Sequence, residues 1–498
     1  MSNQGKLRKI IILLGIVLGI LEAYLVVNGN WQVAFGILVL LPGFIFLHKY
    51  PWLALAIWLI LDPFLLLTVT GAERRVYWII HRAVPVLAVM VILVSSALQI
   101  KKRQLPKLGW IELAMAGYLC LSIFSVWTSN EDPLATTYLL YDRVFIPMCL
   151  YLVARFTITD EQSLKRLLPV MFFISISQAA IGILSWSFPG LLPPEWLTKQ
   201  GRTTGSLVNP SVYTATITFT GLLVLHAALS KDDNSSTERK LGRGRFFQAI
   251  SIITFCIVIY CIFISFSRAS WVAGILVLLG LFPLYPKFMT KLSFVGLCAI
   301  ALLGGWLLSS QIQWAQERLN SAESERSALS RLPVFYAAYR MFQLKPVFGW
   351  GYGNFDQYDR QFQARVADLA NDNKDHASHN LYLTTVAEQG IVGLALYMAP
   401  VVGLFIATLK VFPKLPKSGF WSRKLLIIFW FVILSFFIVN NFSNMRVVFG
   451  LGMWWITLGL IANLVSVNQY KMVYAKAEKR AGASLMDFHL PSTLRTSK

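Results

Sequence analysis

Charged residues are scarce in this sequence. They make up 14% of its 498 residues, and 56% of the residues are apolar, whereas a soluble domain carries about 25% charged residues. Mean hydropathy is +0.59. A water-soluble globule is therefore excluded, and the chain has enough apolar runs of about 20 residues for more than ten membrane-spanning helices.

Acidic residues and cysteines are also few. The 24 acidic residues face 45 Lys and Arg, and in a multi-spanning protein such an excess marks the cytoplasmic loops. We therefore expect no nucleic-acid partner. The five cysteines all fall inside apolar runs, without metal-ligand spacing or an extracellular pairing pattern, and are best explained as packing residues.

The apolar runs predict an all-α, polytopic integral membrane protein with about 12–14 transmembrane helices. The fourteen predicted spans are 7–27, 31–48, 51–69, 79–99, 108–127, 138–155, 164–188, 210–229, 246–266, 269–285, 290–309, 381–410, 424–441 and 446–468. The first resembles a secretory signal but lacks a small-residue cleavage site, so we expect it to be retained. The run 246–285 is too long for one crossing, and its only polar break predicts a turn at Ser267-Arg268.

The distribution of Lys and Arg predicts the orientation of the chain. If the N-terminus is cytoplasmic, 29 of these residues lie on the cytoplasmic side and 16 on the other. Eight of the 16 lie in the long segment 309–380, which also holds eight acidic residues and counts little toward orientation because of its length. We therefore expect both termini to be cytoplasmic and 309–380 to be external.

The external segment contains apolar residues at helical spacing, with two arginines among them. They are Leu332, Phe335, Tyr336, Tyr339 and Phe342, with Arg331 and Arg340. The pattern suits an amphipathic helix lying along the membrane surface. A helix that covers the ends of the transmembrane bundle is an equally good interpretation.

Two arginines are expected at the external ends of helices. Arg202 lies in Gly201–Gly205, just before Asn209-Pro210, and an arginine with free backbone amides at a helix start suits an anionic group. Arg268 lies at the predicted hairpin turn, at or near bilayer depth, where an unpaired charge is costly. The alternatives are an interfacial anchor for Arg202 and snorkelling beside lipid phosphate for Arg268.

Two histidines end the external segment, directly before a long apolar helix. His376 and His379 could ligate a metal with Asp372 or Asp375, but H-x-x-H without a fixed third ligand is a weak zinc pattern, and we expect no metal. A histidine at a helix N-terminus stays neutral and is available as a base. His379 adjoins Asn380 at the helix start, so we choose it over His376; capping and hydrogen bonding to the loop are the structural alternative.

Glu388 is the acidic residue inside that helix, and an intramembrane carboxylate is a functional candidate. Nine residues after His379, it is half a turn out of phase on a straight helix, which favours a structural hydrogen bond over catalysis. Other polar residues in or beside apolar helices are interpreted as satisfied contacts; they are Asp62-Pro63, His81-Arg82 and Asp142-Arg143.

The glycine-rich run Gly349–Gly353 superficially resembles a phosphate-binding loop. It lacks the Walker lysine and a strand-to-helix frame. We interpret it as a turn that leads out of the amphipathic helix.

Three runs appear in the order of a known family. They are Pro346–Phe355, then His379-Asn380 with Leu381 and Leu383, then Glu388–Gly393. This pattern resembles the O-antigen ligase and polymerase family of bacterial polysaccharide enzymes, and Arg202 and Arg268 match its two external arginine positions. The resemblance is close over about residues 200–455, although fourteen helices exceed the usual ten to twelve of that family.

The resemblance implies a membrane glycosyltransferase of the bacterial inner membrane, acting on the periplasmic face. Its donor would be a glycan on a polyprenyl diphosphate held by Arg202 and Arg268. His379 would assist the acceptor hydroxyl, with inversion and without metal or cofactor, and Asn380, Glu388, His376 and Arg331 are possible supporting residues. The acceptor would be a glycan or glycolipid, in contact with membrane lipid; ligase and polymerase use the same donor and stay open.

We divide the chain into N-terminal transmembrane helices at 1–200, a ligase-like catalytic membrane region at 201–468 that includes the loop 309–380, and a cytoplasmic tail at 469–498. The alternative function is a multi-spanning transporter of a small solute or glycan-lipid, for which intramembrane Asp62, Asp142 and Glu388 would be ordinary. Transporters usually carry duplicated halves and a midplane site, whereas the candidate residues here crowd one surface.

Overall fold

A computed structural model describes most of the chain. The described residues are 45–65, 76–98, 105–197, 201–207, 209–230, 241–307, 331–363, 380–442 and 448–466, with a few positions before residue 45 and within 308–330. These residues form helices joined by turns, and no strand occurs among them. The predicted all-α, polytopic class is confirmed.

Six helices make up the N-terminal half of the described chain. They are α1 Trp52–Leu65, α2 Val76–Ala97, α3 Trp110–Ser129, α4 Pro133–Leu140, α5 Ile146–Thr157 and α6 Glu161–Ser187. Nine helices follow in the C-terminal half of the described residues. They are α7 Pro210–Leu229, α8 Leu241–Ile264, α9 Arg268–Leu284, α10 Pro286–Leu307, α11 Arg331–Leu344, α12 Phe355–Phe362, α13 Leu381–Val411, α14 Arg423–Phe442 and α15 Val448–Ser466.

Eight described helices are long and apolar enough to cross a membrane, and α1 and α9 are shorter apolar helices. The predicted spans 7–27 and 31–48 lie largely outside the described residues. The predicted span 138–155 begins earlier than expected, because the Asp132 carboxylate accepts the Ala135 N–H at 3.0 Å and starts α4.

Two helical segments contain a π-helical turn. Ile79–Ala83 lies inside α2, and Tyr141–Phe145 joins α4 to α5. Each turn ends two residues before a proline, Pro85 or Pro147. Because proline has no N–H to donate to the preceding turn, the wider π turn absorbs the interruption without ending the helix.

Helices α7 and α15 are the most buried spans, with 83% and 94% of their apolar windows inside the described bundle. Helix α7 packs against α6, α8, α9 and α14, and α13 packs along α3. The turn predicted at Ser267-Arg268 is confirmed: α8 ends at Ile264, Phe266 has φ 47°, and α9 begins at Arg268.

The amphipathic helix predicted in the segment 309–380 is α11. Its small and unbranched residues, among them Ala338 and Met341, are buried against Phe355 of α12 and Ala387 of α13. Of the predicted apolar side chains, Leu332, Tyr336 and Tyr339 are exposed, whereas Phe335 and Phe342 are half-buried. Helix α11 therefore covers the end of the bundle with one face and leaves an apolar face uncovered in the described structure.

Candidate active site

The alternating direction of the spans brings the motif-bearing connections to one end of the bundle. The described ends of α6, α8, α10 and α14, and the described starts of α7, α9, α13 and α15, all lie there. We call this the motif end. Arg202, Arg268, Arg331 and Asn380 are all on these connections or on the helix starts that they lead into.

Hydrogen bonds hold the Arg202 loop against the α8–α9 turn. The Thr203 hydroxyl donates to the carbonyl of Ile264 at 3.2 Å, where α8 ends. The hydroxyls of Ser211 and Ser267 lie 3.2 Å apart, which links the start of α7 to the start of α9. Thr203, the residue that follows half-buried Arg202, thus contacts the turn that carries Arg268.

Arg268 and Arg331 lie within electrostatic reach of each other. Arg268 is the first residue of α9 and is exposed, and half-buried Arg331 is the first residue of α11. Burial and then the neighbouring Arg268 charge lower the pKa of the Arg331 guanidinium, which lies outside the membrane spans. Arginine stays charged in proteins, so two positive groups held close together favour an anion at this place.

The start of α13 is fixed by Asn380. Its carboxamide oxygen accepts the N–H groups of Tyr382 and Leu383 at 3.0 Å each, which makes Asn380 the N-cap of this helix. Its amide nitrogen reaches the Asn441 side chain, near the end of α14, at 3.4 Å. His379 and His376 lie outside the described residues, so their placement stays a prediction.

The glycine-rich run docks on a break in α13. Gly390 has φ 64° and ψ −167°, which interrupts the helix. The carbonyls of Ala387 and Glu388, before the break, accept the N–H groups of Trp350 and Gly351 at 3.1 and 2.7 Å. Because these two amides are engaged by α13, the run is a docking turn and not a phosphate-binding loop.

The same break also frees two N–H groups of α13, and the turn satisfies them as well. Ile391 and Val392 donate to the carbonyls of Pro346 and Val347 at 2.8 and 3.3 Å. Gly349 has φ 69°, and a Cβ there would collide with the Glu388 backbone. Two segments about forty residues apart thus form one unit through four backbone hydrogen bonds.

Glu388 belongs to this unit. Its side chain is buried, and its Oε1 accepts the N–H of Phe355, the first residue of α12, at 3.3 Å. A carboxylate at a helix N-terminus is favourable because it meets both the free amide and the positive end of the dipole. In the structure this residue holds the start of α12, whose Phe355 packs against α11 and α13.

A buried cluster in the N-terminal half consists of Asp62, His81, Arg82 and Asp142. His81 Nδ1 lies 2.9 Å from Asp62 Oδ1, and both side chains are fully buried. Arg82 donates two hydrogen bonds of 2.6 Å to Asp142. The two π turns therefore face each other through an ion pair. This pairing could not be predicted from the sequence, because its two residues lie in separate spans.

Polar residues inside other spans were not selected from the sequence, although they position the same elements. Gln178 of α6 exchanges hydrogen bonds of 2.8 and 3.1 Å with Ser206, four residues after Arg202. Gln389 of α13 donates to Ser122 of α3 at 2.6 Å. Their signal is an amide side chain within an apolar run, which must find a partner in the bundle.

Comparison with known families decides the assignment. Residues 253–398 match the family model described as O-antigen ligase. This chain carries an O-antigen ligase domain. The match runs from α8 through the docking turn to the middle of α13, so it includes Arg268, Arg331 and Glu388 but not Arg202. A comparison with curated proteins gives no match.

The assignment to the O-antigen ligase and polymerase family agrees with the resemblance inferred from the sequence. The match supports a membrane glycosyltransferase of the ligase or polymerase type in a multi-pass membrane protein, and the family implies a glycan-lipid donor and an acceptor in the membrane as substrates. This result favours an enzyme over the transporter alternative. Intramembrane Asp62 and Asp142 are accounted for by the buried cluster.

Proposed function

We propose that this enzyme transfers a glycan from a polyprenyl diphosphate to an acceptor sugar at the motif end, on the outer face of the bacterial inner membrane. The observation that carries the proposal is the convergence of three arginines. Arg202, Arg268 and Arg331 come from separate segments, yet their helix starts and loops lie at the motif end of a bundle whose residues 253–398 match the O-antigen ligase model. A diphosphate is the group that best matches such a cluster of planar cations.

In the proposed reaction, the acceptor hydroxyl oxygen attacks the anomeric carbon of the donor from the face opposite the diphosphate. The new glycosidic bond forms as the bond to the diphosphate oxygen breaks, so the configuration inverts. Arg202 and Arg268 stabilise the negative charge on the departing diphosphate. The proton of the hydroxyl passes to His379, and no metal takes part.

The local structure supports His379 as the base through the residue that follows it. Asn380 is fixed as the cap of α13, and the docking turn holds that helix at Gly390. A side chain directly before a helix cap is expected near the positive end of the helix dipole, which favours a neutral imidazole. The distribution of Lys and Arg supports the external orientation of the motif end.

Purified protein with lipid-linked donor and acceptor tests the assignment. General-base help is worth about 10²–10⁴ in rate, so His379→Ala is expected to lose about this much transfer while still binding the donor. His376→Ala is the matched control and should be far milder. Transfer at the wild-type rate by His379→Ala would contradict the general-base role.

A deletion strain distinguishes the two forms of the activity. Accumulation of unligated lipid-linked polymer indicates a ligase, and single repeat units on the acceptor indicate a polymerase. Unchanged surface glycans would argue against both.

A further inference from the structure

The buried cluster contains two polar atoms that have no hydrogen-bond partner. They are Oδ2 of Asp62 and Nε2 of His81. Both side chains are fully buried, so no water-sized space adjoins either atom. His81 lies inside α2, about 7.5 Å from its first residue at 1.5 Å per residue, and therefore within a candidate membrane span. An ionisable group at such a place is a functional candidate, and a proton is the ligand that needs no space.

The hydrogen bonds of His81 indicate where that proton lies. The Trp58 indole N–H donates to Nδ1 of His81 at 3.3 Å, and an indole nitrogen is only a donor. Nδ1 therefore presents its lone pair, and a neutral imidazole in this form carries its hydrogen on Nε2. The same Nδ1 lies 2.9 Å from Oδ1 of Asp62. An ionised carboxylate has no hydrogen to donate, so this contact is a hydrogen bond only when Asp62 is protonated.

The charges of the cluster lead to the same proton. Asp62 and Asp142 bring two negative charges when both are ionised, and Arg82 brings one positive charge through its two hydrogen bonds of 2.6 Å to Asp142. With a neutral His81 the cluster then has one uncompensated negative charge inside the helix bundle, where such a charge is costly. One added proton makes the cluster neutral.

The side chains packed around the cluster in the described residues are neutral or apolar. They are Tyr77 and Trp78 of α2, Tyr138 and Tyr141 of the segment that holds the second π turn, Cys149 of α5 and Phe449 of α15. Tyrosine and cysteine hold their protons at pH 7. Arg143 follows Asp142 in the chain but leaves the helix about 100° away from it, and the charged residues of α6 lie in its first two turns, at the far end of that helix.

We propose that the cluster is a proton-binding site: one proton, taken from water as the spans pack, is held between Asp62 and His81, on the carboxyl oxygen that faces Nδ1. The proton makes the contact of 2.9 Å a hydrogen bond and thereby ties α1 to α2. Trp58 of α1 also stacks on Phe449 at the start of α15, with ring centroids 4.9 Å apart. The bound proton therefore stabilises spans that reach the motif end, apart from the reaction itself.

The pH dependence of unfolding tests the proposal on the purified full-length protein in mixed detergent micelles. Free aspartate and histidine have lost their protons above about pH 7, so the folded chain would hold one proton more than the unfolded chain. Each added pH unit should then raise the unfolding constant about tenfold. Asp62→Asn keeps the size of the side chain and removes one negative charge, so its cluster is neutral without the proton. Its unfolding constant should lose this tenfold rise per pH unit.

His226→Gln is the matched control. His226 is also fully buried, but both of its ring nitrogens have partners, the Tyr285 hydroxyl at 2.5 Å and the carbonyl of Phe420 at 2.7 Å. This variant should keep the pH dependence of the wild type, whatever stability it loses. The proposal is overturned if Asp62→Asn keeps the wild-type pH dependence, or if His226→Gln loses it to the same extent.

Infrared spectroscopy locates the proton directly. At about pH 8 exposed carboxyl groups and histidines have lost their protons, so the carbonyl band of a protonated carboxyl group should remain in the wild type and be absent from Asp62→Asn. Nitrogen NMR of labelled histidine that shows a charged ring at this pH would place the same proton on His81 and support the site. If neither signal occurs, or if Asp62→Asn retains the band and no ring is charged, the cluster binds no extra proton and the proposal is wrong.

Discussion

Replacing Gly390 with alanine should destabilise the whole motif end. At φ 64° and ψ −167° an alanine is strained by about 1–3 kcal/mol, and its Cβ would also collide with the carbonyl of Val347. The alternative is for α13 to straighten. Straightening abandons the four backbone hydrogen bonds to the docking turn, each worth about 0.5–1.5 kcal/mol, or about 2–6 kcal/mol in all. Whichever route is cheaper, we expect a loss of about 2 kcal/mol or more.

Thermal unfolding of the purified protein in detergent measures this loss, and the transfer assay measures its consequence. Gly296→Ala is the matched control, because a Cβ at Gly296 in α10 meets nothing within 4 Å and alanine favours a helix interior by about 0.5–1 kcal/mol. The control should be unchanged or slightly more stable. Equal melting temperatures for Gly390→Ala and wild type would refute the view that the break in α13 is held by the turn.

Four further predictions concern the arginine turn, the buried cluster, the orientation of the chain and the need for a metal. Arg268→Ala should weaken donor use by about 1.5–3 kcal/mol, with partial rescue by lysine, which offers a point charge in place of a fork; normal donor kinetics in the alanine variant would remove Arg268 from the mechanism. Asp142→Ala should cost about 3–5 kcal/mol of stability because it leaves Arg82 without its carboxylate, and unchanged thermal unfolding would contradict this. A cysteine placed in 309–380 should react with an impermeant reagent from outside the cell membrane, and labelling only from the cytoplasm would reverse the orientation. EDTA should leave transfer unchanged; loss of activity restored by zinc would favour the histidine metal site.

A helix could be predicted from the sequence where capping residues and proline mark its ends. The span predicted at 210–229 matches α7 at both ends, because Asn209 caps it and Pro210 suits the first helical position. The turn within 246–285 was predictable from length alone, since one helix of that length would be about twice as long as the bilayer core is thick.

Contacts between spans were not predictable from one sequence. The pairing of Arg82 with Asp142 depends on the relative height and rotation of two helices, which hydrophobic periodicity does not specify when both faces are apolar. The break at Gly390 was missed for a related reason. Within Glu388–Gly393 the apolar spacing suits a continuous helix, and the groups that stabilise the break are supplied by residues 346–351.

The docking turn and the broken part of α13 have a structural role that differs from the proposed anion-binding role of the arginines. Residues 346–355 and 388–393 satisfy each other's backbone groups, so neither supplies free donors to a phosphate. They hold α13 at its break, and Asn380 caps its start. The α8–α9 turn independently carries Arg268. A base placed before Asn380 and a leaving-group site at Arg268 would thus be held by different elements, each with its own supporting hydrogen bonds. Changes in the docking turn should therefore lower the rate of transfer through the position of the base, and should affect donor binding less.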